Sequence, residues 1–266
     1  MVIEWLVALI IAIAPHWGPG DCEEEDTVCV SRNEAKAERV HSIAEAILGG
    51  SEREKIDDPV LIASVIARES SFLTEPCERV IPLSKIVSRT PNPNREGQEH
   101  IEWSCGSRTC ARDAINVSTV GDKLNFWVCS AGELGMMQLH PADRWVRSGM
   151  RIPGTDITLP RSPSDRRELV LDPANNIALG CAEMASHREA YVRAHPNDDE
   201  LIWMDWIGRY NSGRDGNTTY LNRILAQYRV LCNTEIPNTI DGVTTMVPLR
   251  DVWEGCAAVD EYLANE

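Results

Sequence analysis

The sequence predicts a mainly α-helical domain with little β-structure, interrupted by one long, cysteine-bearing insertion. Three observations lead there. Apolar residues recur at helical spacing through most of the chain. The pair Asp-Pro occurs at Asp58-Pro59 and again at Asp172-Pro173, each time as a helix N-cap followed by a first-turn proline. Between Leu73 and Ser130 the periodicity dissolves among Pro76, Pro82, Pro91, Pro93 and Gly97, and Cys77, Cys105, Cys110 and Cys129 dot the stretch. A loop of that length in a compact domain is functional or stapled, so 73–130 reads as a disulfide-tied insertion. Within it, a short helix is expected near Ile81–Val87 and a little strand around Leu124–Val128.

Taken in order, residues 1–28 form an apolar N-terminal segment and an acidic linker. Trp5 to Ala14 is an unbroken apolar run, too short to span a bilayer. It has the look of an export signal ending in Ala12-Ile13-Ala14, although Glu4 stands where a basic residue is usual and Pro15 follows the cut. Residues 5–14 are therefore a candidate signal or anchor, or else a membrane or assembly contact. Residues 29–235 form the main domain. Ser31 or Asn33 caps a helix through about Leu48, which Gly49-Gly50 should stop. The Asp58-Pro59 helix runs to about Ser70. Pro141 opens a short helix to about Ser148, and 149–168 reads as loop. The Asp172-Pro173 helix carries Ile177, Cys181, Met184 and Tyr191. Further helices are expected at about Asp199–Arg209 and Thr218–Leu231, the latter with Leu221, Ile224, Leu225 and Tyr228 inward. Residues 236–266 form a C-terminal extension with a helix between Pro248 and Leu263.

A chain of 266 residues with a formal charge of −15 is poorly suited to phosphate backbones, which need a concentrated basic surface, so nucleic acid is excluded as a partner. Nine cysteines without a CxxC pair point to disulfides in an oxidising compartment instead of zinc ribbons. The odd count leaves at least one thiol outside such bridges. Eight Trp against two Phe lean weakly toward a glycan ligand, since indole faces stack on sugars. No metal or cofactor is implied.

The chemistry centres on Ile66-Ala67-Arg68-Glu69-Ser70-Ser71-Phe72. On a helix Glu69 shares a face with Val65 and Ile66, so its carboxyl sits at the edge of an apolar stripe. Desolvation there raises a carboxyl pKa and suits it to general-acid work near neutral pH. Three further signals follow in order: Gly135-Met136-Met137-Gln138, then Asp172-Pro173-Ala174-Asn175-Asn176-Ile177 with Gly180, then Tyr210-Asn211-Ser212-Gly213.

In this order the four signals resemble the soluble lytic transglycosylase family of the lysozyme-like superfamily, whose pattern runs E-S-x-F, G-x-M-Q, N-P-x-x-N-I-x-x-G and Y-N-x-G. The resemblance covers about Asp58–Ser71 and Gly132–Leu231 and implies a lysozyme-like (goose-type) helical domain. It also implies cleavage of the β-1,4 bond between N-acetylmuramic acid and N-acetylglucosamine in peptidoglycan glycan strands. Glu69 would be the sole acid and then base, and the product would carry a 1,6-anhydro end. By the same resemblance Ser70 would orient Glu69 or substrate, Gly135 would let backbone approach the sugar, and Met137 would form an apolar wall. Gln138 would hydrogen-bond substrate or the Glu69 helix, Tyr210 would bring its hydroxyl near Glu69, and Asn211 would hold backbone or an acetamido group. Asn176, Ile177 and Gly180 read as scaffold.

The insertion is far longer than the family's connection, and is a candidate groove lid or docking site for a protein partner. Glu133, Asp143 and Asp215 lie near motifs, and a water-positioning role for any of them would make the enzyme a hydrolytic lysozyme. His140 reads as structural. The runner-up of another class is a non-catalytic wall-binding or structural module. A periplasmic or exported location is expected, with a phage virion as the alternative.

Overall fold

The computed structural model describes residues 2–20, 27–72, 78–93, 98–105, 108–127, 133–140, 144–196, 202–212, 217–240 and 242–265. The helices are α1 (Val2–Ile13), α2 (Thr27–Glu54), α3 (Pro59–Ser70), α4 (Pro163–Leu171), α5 (Pro173–Ala194), α6 (Trp203–Trp206), α7 (Gly208–Ser212), α8 (Thr218–Cys232) and α9 (Glu254–Asn265). The strands are β1 (Glu78–Pro82), β2 (Ile86–Pro91), β3 (Glu99–Cys105), β4 (Arg108–Val120), β5 (Lys123–Trp127), β6 (Glu235–Ile240) and β7 (Val243–Pro248). Strand makes up 21% of these residues, all of it antiparallel. The expectation of a mainly α, lysozyme-like domain with little β-structure is thereby corrected: the fold is mixed α/β.

The insertion accounts for most of that correction. Its strands pair in the order β1-β5-β4-β3-β2, so β1 and β2 are opposite edges of one sheet. In a flat sheet they would stand about 19 Å apart at about 4.8 Å per strand. Yet only the 3₁₀ turn Leu83–Lys85 joins them, and a connection that short reaches about 14 Å at full stretch. The sheet must therefore curve enough to bring the end of β1 near the start of β2. Long β4 makes the corner: its first half pairs with β3, its second with β5, and the register breaks between Ile115 and Ser118 as at a β-bulge. The curved sheet encloses a core separate from that of the helices, built from Ile101, Trp103, Ala114, Leu124 and Phe126. The Cys105–Cys110 disulfide closes the β3–β4 hairpin. Pro82 and Pro91 sit at strand ends, where a missing N–H is tolerated, and this is why a proline-marked stretch still forms sheet.

In the helical part α3 is central. Every residue from Pro59 to Ala67 is buried. Helix α2 packs on α5 and runs straight through Gly49-Gly50 instead of stopping there. A Cβ on Gly50 would lie 2.6 Å from Cys181 Sγ, so this glycine serves close helix approach. Arg188 of α5 donates to the carbonyls of Glu54 and Lys55, which closes the end of α2. The end of the stretch read as loop, 163–168, belongs to α4 (Pro163–Leu171), capped by Ser162. The short helix expected from Pro141 reduces to a 3₁₀ turn at Arg144–Val146, with 141–143 outside the described residues. The helix expected over Asp199–Arg209 is broken into α6 and α7, with 199–201 outside the described residues. The C-terminal extension opens with the β6–β7 hairpin, and the Cys232–Cys256 disulfide ties α9 to α8.

The apolar N-terminal run is a packed helix. Trp5, Leu6, Leu9 and Ile10 of α1 lie in the main core, and α1 touches α2, α3 and β6. No described helix is long and apolar enough to cross a membrane. Leu9 is fully buried, so Leu9→Ala should destabilise the fold by about 3 kcal/mol, measured by urea unfolding. A loss below about 0.5 kcal/mol would show that α1 is not part of the cooperative core.

Candidate active site

Glu69 stands one residue before the end of α3. Burial is the main influence on its carboxyl and raises its pKa, with Glu133 adding in the same direction. Tyr220, Arg68 and Arg223 oppose the shift. The Tyr220 hydroxyl donates to Glu69 Oε1 at 2.7 Å. Tyr220 itself is held neutral by burial and by the carboxylate beside it, so it acts as donor throughout.

The helix ends abruptly after this carboxyl. Ser71 (φ 51°) and Phe72 (φ 61°) are both left-handed, an uncommon conformation for residues with side chains. Phe72 is fully buried and its carbonyl accepts from Trp17 Nε1 at 3.0 Å. Ser70 is buried and its hydroxyl donates back to the Ile66 carbonyl at 3.0 Å, within its own helix and not to Glu69.

The Gly135–Gln138 stretch is a tight turn between Leu134 and Leu139, which exchange backbone hydrogen bonds of 2.9 and 3.0 Å. Gly135 has φ +70°, and a Cβ there would lie 2.2 Å from Asn176 Nδ2. The glycine makes room for this side chain. Asn176, fully buried on α5, accepts from Met137 N at 2.7 Å. It donates to the carbonyls of Leu134 at 3.1 Å and Val170 at 3.0 Å. Met136 and Met137 are fully buried, and Met137 packs where a Cβ on Gly180 would fall. Its side chain is core, and no exposed wall. Gln138 takes a left-handed φ of 51° and its amide donates to the Gly135 carbonyl at 2.7 Å.

Tyr210 donates to the Met137 carbonyl at 2.8 Å, so its hydroxyl ties α7 to that turn. The hydroxyl on Glu69 belongs to Tyr220, whose ring centre is 6.5 Å from that of Tyr210. Burial and the nearby charges of Glu183 and Glu69 keep Tyr210 neutral. Asn211 is exposed and its Oδ1 accepts from Asn217 Nδ2 at 3.3 Å. Asn217 is the N-cap of α8, and its Oδ1 accepts from Tyr220 N at 3.1 Å. Asn211 thus steadies the cap of the helix that carries Tyr220. Gly213, Asp143 and Asp215 lie outside the described residues, and His140 is exposed.

Sequence reasoning missed Tyr220 and Glu183. Glu183 is mostly buried, 3.8 Å from His187 Nε2, and the His187 ring meets Tyr210 edge-on. Its charge acts on both Tyr210 and Tyr220. One signal was available: Asn176, Gly180, Glu183 and His187 share one face of α5 at helical spacing. That face meets the Met137 turn and Tyr210.

Opposite Glu69, the N-cap Asp58 forms a second hydroxyl–carboxylate pair. Its Oδ1 accepts from Leu61 N at 3.0 Å and its Oδ2 from the Tyr228 hydroxyl at 2.8 Å. Burial pushes the Asp58 carboxyl up to about 6 despite these bonds.

The chain matches no protein-family model, no curated protein and no solved structure.

Two outcomes follow from this geometry. Asn176→Ala removes the side-chain partner of the Val170 carbonyl and the Met137 N–H and one of the two donors to the Leu134 carbonyl, and should cost about 3 kcal/mol, read as a fall in denaturation midpoint; a surface-like loss of a few tenths would be the contrary result. Asp58 has a folded pKa above its unfolded one, so its contribution is fully present below about 3.8 and is lost as pH rises through about 6. Between about pH 4.5 and 7.5 the unaltered chain should lose roughly 2 kcal/mol more stability than Asp58→Asn. Parallel urea-derived stabilities across that range would refute this.

Proposed function

We propose that this chain cleaves the β-1,4 bond between N-acetylmuramic acid and N-acetylglucosamine in peptidoglycan, as a lytic transglycosylase. The observation that carries the proposal is the Glu69 carboxyl, whose burial raises its pKa above the ordinary carboxylate value and which Tyr220 orients at 2.7 Å. The motif order described above supports the same family of reactions.

The chemistry follows from that arrangement. With Tyr220 donating to Oε1, the acid proton resides on Oε2 and is delivered to the bridging oxygen as the bond to muramoyl C1 breaks. Glu69, now a carboxylate, takes the proton from the muramoyl C6 hydroxyl as that oxygen bonds to C1. One carboxyl serves both steps, unlike the two-carboxylate hydrolases, and no water is consumed. Tyr220 contributes by stabilising the carboxylate formed midway. The disulfides at Cys105–Cys110 and Cys232–Cys256 support an exported setting. Hydrolysis at the same bond is the second reading, favoured by the acidic Glu133 near Glu69.

Glu69→Gln should lower sacculus clearing by about 10³-fold with the fold intact by circular dichroism; a variant of full activity would sink the assignment. Mass spectrometry of the released fragments separates the two chemistries, since an anhydro end is one water lighter than a reducing end. Activity of the unaltered chain should also fall as pH rises through the raised Glu69 pKa, because the acid must begin protonated.

A further inference from the structure

We infer that Asp58, Tyr228 and Trp253 are positioning residues for Glu69, acting at a distance through Tyr220; the inference rests on the assignment of Glu69 as the proposed acid. Helices α3 and α8 pack side by side, and they are bonded at both ends of α3. Tyr228 meets Asp58 at the start of α3 and Tyr220 meets Glu69 at its finish, at 2.8 and 2.7 Å. The helices are therefore antiparallel. The two tyrosines are eight residues apart, about 12 Å along α8 and on one face. Asp58 and Glu69 are eleven apart, about 16 Å along α3. A slide or roll of α8 that lengthens one bond also disturbs the other.

The C-terminal segment completes the Asp58 end. Trp253 Nε1 donates to the Tyr228 hydroxyl at 3.0 Å. This fills an acceptor site on that oxygen and directs its own proton to Asp58. Space for the arrangement is specified in the chain: a Cβ on Gly255 would lie 2.3 Å from the Tyr228 hydroxyl and 2.6 Å from Trp253 Nε1. The backbone bond from Trp253 N to the Leu249 carbonyl at 2.9 Å and the Cys232–Cys256 disulfide hold this segment against α8. The groups that act on Glu69 are Arg68 on α3, Tyr220 and Arg223 on α8, and Glu133 ahead of the Gly135 turn. The route proposed from Trp253 to Glu69 runs through its bond to Tyr228 and so through the placement of α8.

The decisive measurement is the Glu69 carboxyl pKa by carbon NMR titration of the full chain, with Glu69→Gln identifying the resonance. It is compared with the alkaline limb of kcat on sacculi. Tyr220→Phe removes a bond that lowers the Glu69 pKa, and should raise it by about one unit. Trp253→Phe and Tyr228→Phe should raise it by roughly half a unit and lower kcat several-fold with KM unchanged. In a Tyr220→Phe background both effects should vanish, as expected for residues that act through one shared bond. An unmoved Glu69 pKa in Trp253→Phe, or a shift that persists without the Tyr220 hydroxyl, overturns the inference. Where Trp253→Phe fails to fold, Gly255→Ala, which crowds the same oxygen, serves for the comparison. A chain that clears no sacculi but shows the coupled pKa shifts refutes the glycan-cleaving assignment and leaves the coupling standing.

Discussion

A helix as buried as α3 can present a carboxyl to chemistry only if something fixes where its ends lie. The pair of tyrosine–carboxylate bonds from α8 does this. Each bond places a neutral hydroxyl against a desolvated acid, and each acid has its pKa raised by burial. The bonds are directional while the apolar contact between the helices is not. Burial of Leu61, Ile62, Val65 and Ile66 sets no donor–acceptor distance against a shift of α8 by part of a turn. The hydroxyl distances would not survive such a shift. Geometry at Glu69 is therefore a property of the helix pair, and the clusters around it extend that pair.

The Gly135–Gln138 turn is one of those extensions. Asn176 holds it by two hydrogen bonds from α5, and Tyr210 holds it by another from α7. Both sets use backbone groups of the turn as partners, so the turn's shape depends little on its own side chains. Met136 and Met137 fill core, and Gly135 supplies the opening through which Asn176 enters. Asn211 and Asn217 link α7 to the cap of α8. Motif residues that share a site with Glu69 thus serve largely to fix its surroundings, and direct contact with its carboxyl falls to Tyr220.

The sequence made the start of α3 legible because Asp58-Pro59 is a local device: the cap and the fixed φ act within one turn. Its apolar stripe likewise marked Glu69 as desolvated. Gly49-Gly50 was misleading for a physical reason, since a glycine that ends a helix and one that admits Cys181 look alike until the partner helix is known. Apart from the strand expected around Leu124–Val128, found as β5, the sheet was illegible because the long β4, from Arg108 to Val120, carries no sustained apolar alternation. Its strands are specified by pairing across the insertion instead. Tyr228 read as one member of an apolar face on α8, which it is, and Tyr220, buried beside it, carried no signal of its own. What sequence alone could not supply is that their hydroxyls meet acids 151 and 170 residues away.

Placing an inserted β-module soon after the Glu69 carboxyl would ordinarily disturb that carboxyl, because any movement of the module would pull on the helix end. The chain meets this with a hard stop. Ser71 and Phe72 leave the helical path in two left-handed steps, a conformation that persists in such residues only when the surroundings over-determine it. Burial of Phe72 and the bond from Trp17 to its carbonyl provide that determination. The curved sheet has its own apolar core and its own disulfide, so it needs no support from α3. Force arriving from the insertion meets the Phe72 anchor before it reaches Ser70, and the Tyr220 bond then holds Glu69 from the opposite side. The insertion can in this way vary its surface without altering the acid it follows.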